Sequence, residues 1–152
     1  MDSDGSHGVF MSGGFDSSTV GGLTRQQGDR RIPAFTISFQ DQGFDEAAFA
    51  EAASQHLGLE QHTRVLRPAD AAAALGDLAR AFDEPFGNSS VIPTYYCARH
   101  AAAQGVDLLL AGDGGDELFA GNKRYVEQKM LSVYHHLPTF LRRTAEAALL
   151  NN

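Results

Sequence analysis

Ser12-Gly13-Gly14-Phe15-Asp16-Ser17-Ser18 follows the short apolar run Gly8-Val9-Phe10-Met11 and precedes a segment able to be helical. The order reads as a strand, an anion-binding loop and a helix start. Two glycines let the backbone approach an anion with no Cβ in the way, and the hydroxyls of Ser12, Ser17 and Ser18 can add donors. The helix start would aim its N–H groups and the positive end of its dipole at the same point. Asp16 is out of place beside a phosphate unless a cation lies between them, which suggests Mg²⁺ bridging Asp16 to the phosphates of a nucleotide. The same residues also describe an ordinary turn followed by an ordinary Asp/Ser helix cap.

The loop is neither Gly-x-x-x-x-Gly-Lys-Ser/Thr nor Gly-x-Gly-x-x-Gly. It resembles the Ser-Gly-Gly-x-Asp-Ser loop of the ATP pyrophosphatases, which cleave ATP between its α and β phosphates. That likeness indicates a superfamily and leaves the substrate open.

The 152-residue length suits one α/β domain with a sizeable core, and no run is long and apolar enough to cross a membrane. With 19 acidic against 12 basic residues and a net charge of −7, a sequence-independent nucleic-acid binder is not expected. Lysine occurs only at Lys123 and Lys129, so phosphate affinity earlier in the chain has to come from backbone N–H groups, Arg or metal. The single cysteine, Cys97, rules out an intrachain disulfide and reads as a buried thiol in a reducing, cytoplasmic setting. Residues 1–7 are polar and read as a flexible lead-in, with neither the basic end nor the apolar core of a signal peptide.

Outward from the loop, residues 17–27 predict a helix closed by Gly28, with Gly21-Gly22 allowing close packing on a sheet. Residues 32–39 are β-branched and aromatic and predict a second strand. Asp45 is expected to cap a helix ending at Gly58, with Phe49, Ala53, His56 and Leu57 along one side. Residues 60–66 predict a third strand. Pro68 then opens a helix whose Ala71, Leu75, Leu78, Ala79 and Phe82 repeat at helical spacing. After a loop from Asp83 to Ser90, residues 91–104 predict a helix with Pro93 in its first turn, and Asp107-Leu108-Leu109-Leu110-Ala111 a fully buried fourth strand. Apolar spacing at Val126, Met130, Val133, Tyr134 and Leu137 predicts a further helix, followed by another reaching Leu150. Strands alternating with helices imply a parallel sheet covered on both faces.

The fourth strand runs into Gly112-Asp113-Gly114-Gly115-Asp116-Glu117-Leu118-Phe119-Ala120-Gly121. Three carboxylates among glycines repel one another and need a cation or open water; a solvated acidic turn is the plainer reading. Position favours a site, because strand C-termini line the ligand crevice of open α/β sheets. If this strand lies beside the first, Asp116 and Asp16 face each other there.

Together, Ser12 to Ser18 and Gly112 to Gly121 resemble the two loops of the synthetase domain of the asparagine synthetase family, and Asp83-Glu84-Pro85 through Ser90 resembles its intervening segment. The likeness covers most of residues 8–126. It implies a Rossmann-like, adenine nucleotide alpha hydrolase-like sheet within one synthetase domain spanning 8–150. It also implies an ATP-dependent, AMP-forming ligase that adenylates a carboxylate, the aspartate side chain first of all, releases pyrophosphate and lets ammonia displace AMP. Carried over by position, Ser12, Gly13, Gly14, Ser17 and Ser18 would hold the pyrophosphate, and Asp16 with Asp116 would bind Mg²⁺. Met11, Ile37 and Gly112 would flank the adenosine, and Asp113 would act as base or position the substrate. Asp113 stands where the family often has Glu, and Asn122 where it often has Tyr, so contacts at both positions differ from the family's.

Such enzymes draw ammonia from a glutaminase domain with a cysteine near its start, whereas position 2 here is Asp, and they continue past this length to a phosphate-contacting Lys. The chain therefore reads as a piece of a longer polypeptide, for which a homo-oligomer is compatible. A nucleotide-binding or interaction module without catalysis stands as the alternative, as do relatives that amidate other carboxylates or close β-lactams. A tRNA sulfurtransferase-like reading is disfavoured by the acidic balance and the lone cysteine. His56, His62, His135 and His136 lack partners at metal-ligand spacing.

Overall fold

The computed structural model describes residues 6–27, 31–40, 46–84 and 87–119. The chain divides into two compact units, Met1–Asp113 and Gly114–Asn152. The first unit runs β1 (His7–Phe10), α1 (Phe15–Gln26), β2 (Pro33–Phe39), α2 (Ala47–Leu57), β3 (Glu60–Leu66), α3 (Pro68–Ala81), α4 (Val91–Ala103) and β4 (Leu108–Leu110). In the second, α5 spans Gly115–Phe119. The expected Gly28 and Asp45 caps, Pro85 and the helices after residue 120 lie outside the described residues.

The four strands are all parallel, in the order β3-β2-β1-β4. Val9 is aligned with Ala34 of β2 on one side and Leu110 of β4 on the other. Alternation along the strands sends successive residues to opposite faces. Val9, Met11 and Ala34 pack with Ala50 and Leu59 under α1 and α2. On the other face, Phe35 packs with Cys97, Ala101 and Val106 beneath α4, while Leu66 packs with Ala74, Leu78 and Tyr96 between α3 and α4. The sheet is thus covered on both faces, as the alternation of elements predicts. Among the described residues no helix is long and apolar enough to cross a membrane.

Three expectations need correction. The fourth strand is an edge strand, with Leu108 43% exposed, because it pairs with β1 alone among the described residues. In α2 the buried positions are Ala50 and Ser54, while Phe49 and His56 face solvent. In α3 they are Ala74 and Leu78, with Leu75 and Phe82 turned outward. Small side chains at Ala50, Ser54 and Ala74 hold both helices close to their neighbours, while of the larger residues expected inward Leu57 and Leu78 do pack on the core. Helix α1 also begins at Phe15, two residues before the expected start, with Gly14 as N-cap. At the end of α2, Gly58 adopts the expected left-handed cap, with φ +67°.

On the face under α4, the Phe35 ring stacks on His62 and meets His100 edge-on, and His100 Nδ1 is buried without a hydrogen-bond partner. Burial first, then nearby His62 and Arg64, hold the His100 imidazole below its ordinary value. Cys97 is buried, its thiol pushed up to about 12 by desolvation.

Candidate active site

The chain runs outward from β1 through β2 to β3 and returns on the other side of β1 as β4. The connections leaving the C-terminal ends of β1 and β4 therefore diverge, which is the topological switch point where open α/β sheets bind ligands. A cleft of about 310 Å³ lies there, at the small end of the range for ligand pockets. Its lining includes Ser12, Gly14, Phe15, Asp16 and Ser17 from the first loop and Ala111, Gly112 and Asp113 from the last.

Two glycines make this arrangement possible. Gly13 has φ +81°, and a Cβ on it would stand 2.4 Å from the Ala50 nitrogen, so the loop turns in the left-handed region directly against the start of α2. Gly112 comes just as close to α1, where an added Cβ would lie 2.7 Å from the Ser17 nitrogen.

Within the loop the serines brace one another. Ser17 Oγ donates to the Gly14 carbonyl at 3.2 Å and accepts from the Ser12 N–H at 3.2 Å, while the Ser12 and Ser17 hydroxyls pair at 2.9 Å. Ser12 Oγ also accepts from the Gly14 N–H at 3.3 Å. These hydroxyls are engaged within the loop, so the donors left for an anion are chiefly backbone N–H groups of the first turn of α1, which have no intrahelical acceptor. Asp16 sits in that first turn, partly exposed on the cleft, and Asp113 is exposed on the same cleft. A phosphate held by the helix start and a divalent cation held by a carboxylate both suit these donors.

Several anticipated residues stand elsewhere. Met11 is fully buried beneath α1; its N–H donates to the Phe35 carbonyl and its carbonyl accepts from Thr36. Ile37 packs against the core on the α3 and α4 face. Ser18 turns toward Met11, its Oγ 3.9 Å from the sulfur. None of the three lines the cleft. Asp116 lies in the first turn of α5, in the second unit.

The cleft also contains Phe10, Ser90, Pro93 and Thr94, which the sequence did not single out. The last three belong to the start of α4, where Thr94 Oγ1 donates back to the Ser90 carbonyl at 2.9 Å. The only sequence signal was the Asp83 to Ser90 segment leading into a Pro-started helix, and that gives no direction in space.

The asparagine synthase family model matches residues 1–152. A putative glutamine-hydrolysing asparagine synthetase of Mycobacterium tuberculosis is 34% identical over 144 residues, 95% of this chain and 22% of that protein. Glutamine-hydrolysing asparagine synthetase 1 of Bacillus subtilis is 32% identical over 143 residues, 94% of this chain and 22% of its own length. The chain thus spans 22% of the length of these curated relatives. Among solved structures, an NH3-dependent NAD synthetase from Campylobacter jejuni aligns with a TM-score of 0.50 at 13% identity, over 80% of this chain and 53% of that one, a likeness of fold. The sheet is accordingly of the adenine nucleotide alpha hydrolase-like kind. With its glycine-turned loop, its acidic loop after β4 and a family model that covers every residue, the chain belongs to the asparagine synthase family.

Proposed function

We propose that residues 8–150 act as the nucleotide-handling synthetase domain of an ATP-dependent amide ligase. The reaction activates a carboxylate, that of the aspartate side chain, as its adenylate, releases pyrophosphate and transfers the acyl group to ammonia derived from glutamine. The observation that carries this reading is the cleft at the switch point, where the first turn of α1 with Asp16 and the segment with Gly112 and Asp113 share one lining.

Attack of a carboxylate on the α-phosphorus develops negative charge on the departing pyrophosphate. The loop from Ser12 to Ser17 meets that charge with oriented N–H groups and a helix dipole, held in place beforehand by the serine brace, so little reorganisation is needed. Asp16 would hold Mg²⁺, which when bound supplies positive charge to the phosphate oxygens. Asp113 would orient the acceptor or take the proton of the incoming amine. Of the residues expected beside the adenosine, Gly112 is the one that lines the cleft, so adenosine contact is assigned to its backbone. Incubating the full-length polypeptide that carries this domain with α-labelled ATP, aspartate and ammonium should release AMP, and labelled pyrophosphate should exchange into ATP only when aspartate is present. Release of ADP and phosphate would overturn the reading.

A further inference from the structure

A polar chain, buried at Ser54 and Thr36 and partly buried at Gln61, runs from α2 through β3 and β2 to the residue just before the phosphate loop. The Ser54 hydroxyl donates to Gln61 Oε1, and Ser54 is fully buried. Gln61 Nε2 donates to Thr36 Oγ1 at 2.6 Å and to Thr63 Oγ1 at 3.2 Å. Thr36, 2% exposed, donates its hydroxyl proton to the Met11 carbonyl at 2.7 Å. Apart from the side branch to Thr63, the donors Ser54, Gln61 and Thr36 follow one another toward β1, an arrangement in which successive hydrogen bonds polarise one another.

The last acceptor matters most. Met11 ends β1, and its carbonyl belongs to the same peptide unit as the Ser12 N–H. That carbonyl is taken by Thr36 and that N–H by Ser17 Oγ, so the plane of the Met11–Ser12 peptide is pinned at both ends. This peptide is where the chain leaves the sheet and turns toward the cleft, so its orientation sets the direction of the N–H groups that follow.

We propose that Thr36 and Gln61 are positioning residues for the phosphate loop, acting from the sheet through the Met11 carbonyl without touching the ligand. The proposal rests on the reading of residues 12–18 as a phosphate site. An isolated core hydrogen bond would serve stability alone; this one fixes the peptide from which the site is built.

The test uses the 152-residue chain with inorganic pyrophosphate as probe, followed by NMR titration, and amide hydrogen exchange of the free protein. Thr36→Val keeps the shape and removes the hydroxyl, whereas Thr36→Ser keeps the hydroxyl. Thr36→Val should weaken pyrophosphate binding by about tenfold and lower the protection of the Ser12 amide by a similar factor, with Gln61→Met showing a smaller effect in the same direction. Thr36→Ser should restore both. Unchanged binding and unchanged Ser12 protection in Thr36→Val, whatever its melting temperature, would overturn the proposal, as would equal losses in the Val and Ser variants. If Ser12 protection responds as expected while the unaltered chain takes up no pyrophosphate, the positioning stands and the phosphate reading of the loop is what fails.

Discussion

Replacing Gly112 by alanine tests directly how the cleft is built. The added Cβ would lie 2.7 Å from the Ser17 nitrogen, 2.9 Å from the Asp16 carbonyl carbon and 3.0 Å from Asp16 Cβ. Ordinary contact begins at 3.4 Å, so the approach is too close by about 0.7 Å, and two of the three atoms are backbone that no rotamer change can move aside. Either the first turn of α1 or the segment after β4 must shift, and both line the cleft. Overpacking of this kind costs about 1–3 kcal/mol, which in a domain of this size lowers the melting temperature by about 3–10 °C. A displacement of this order should also weaken pyrophosphate binding by about tenfold, since misplacement by 1 Å in a preorganised site can cost about a hundredfold in rate. Thermal melts and pyrophosphate titrations of Gly112→Ala would be compared with Gly87→Ala, where an added Cβ meets nothing within 4 Å. The control should stay within about 0.5 kcal/mol of the unaltered chain. If Gly112→Ala matches it in both measurements, the close approach of the last loop to α1 is not what shapes the site.

Asp16→Asn and Asp116→Asn should each abolish Mg²⁺-dependent nucleotide binding while leaving the circular dichroism spectrum unchanged; unaltered affinity in Asp116→Asn would return that residue to a solvated acidic turn. Because His100 titrates lower in the folded state than its ordinary 6.5, the unfolded chain takes up the proton first as pH falls. Stability fully present above about pH 6.5 should therefore decline below it, and urea titrations of His100→Asn should show this part of the pH profile flattened. Cys97, buried and held near 12, should resist iodoacetamide in the folded protein and react rapidly in denaturant, as mass spectrometry would show. Fast labelling of the native chain would refute its burial.

The parallel sheet was legible because β1, β2 and β4 are short, apolar and set off by turn residues, and because Pro68 and Gly58 mark helix ends with backbone requirements that few residues meet. The two loops were legible for a similar reason: clustered glycine and carboxylate make no sense in a core. The inward sides of α2 and α3 were read only in part: Ala53, Leu57 and Leu78 pack inward as expected, but Phe49, Leu75 and Phe82 do not, and Ala50, Ser54 and Ala74 make contacts that their size does not advertise. The Leu108 to Leu110 run looks like a buried strand, yet its depth depends on neighbours that a local pattern cannot specify. Thr36 and Gln61 were invisible for the opposite reason. They lie in strands as ordinary polar residues, and only the register that sets Thr36 beside Thr63 brings their hydrogen bonds together.

The placement of β1 also bears on how the chain is made. Its pairing with β2 joins segments close in sequence, whereas its other edge stays open until Leu108 to Leu110 have been synthesised. During translation the N-terminal part can therefore form a sheet with one row of backbone donors and acceptors exposed, beside a glycine-turned loop whose facing wall does not yet exist. An uncovered strand edge is a template for pairing with other chains, and distant strand pairing is slow to form. The strand that completes the cleft is thus also the one that covers the open edge of β1, so changes that weaken β4 should reduce the yield of folded protein before they are felt as lost binding.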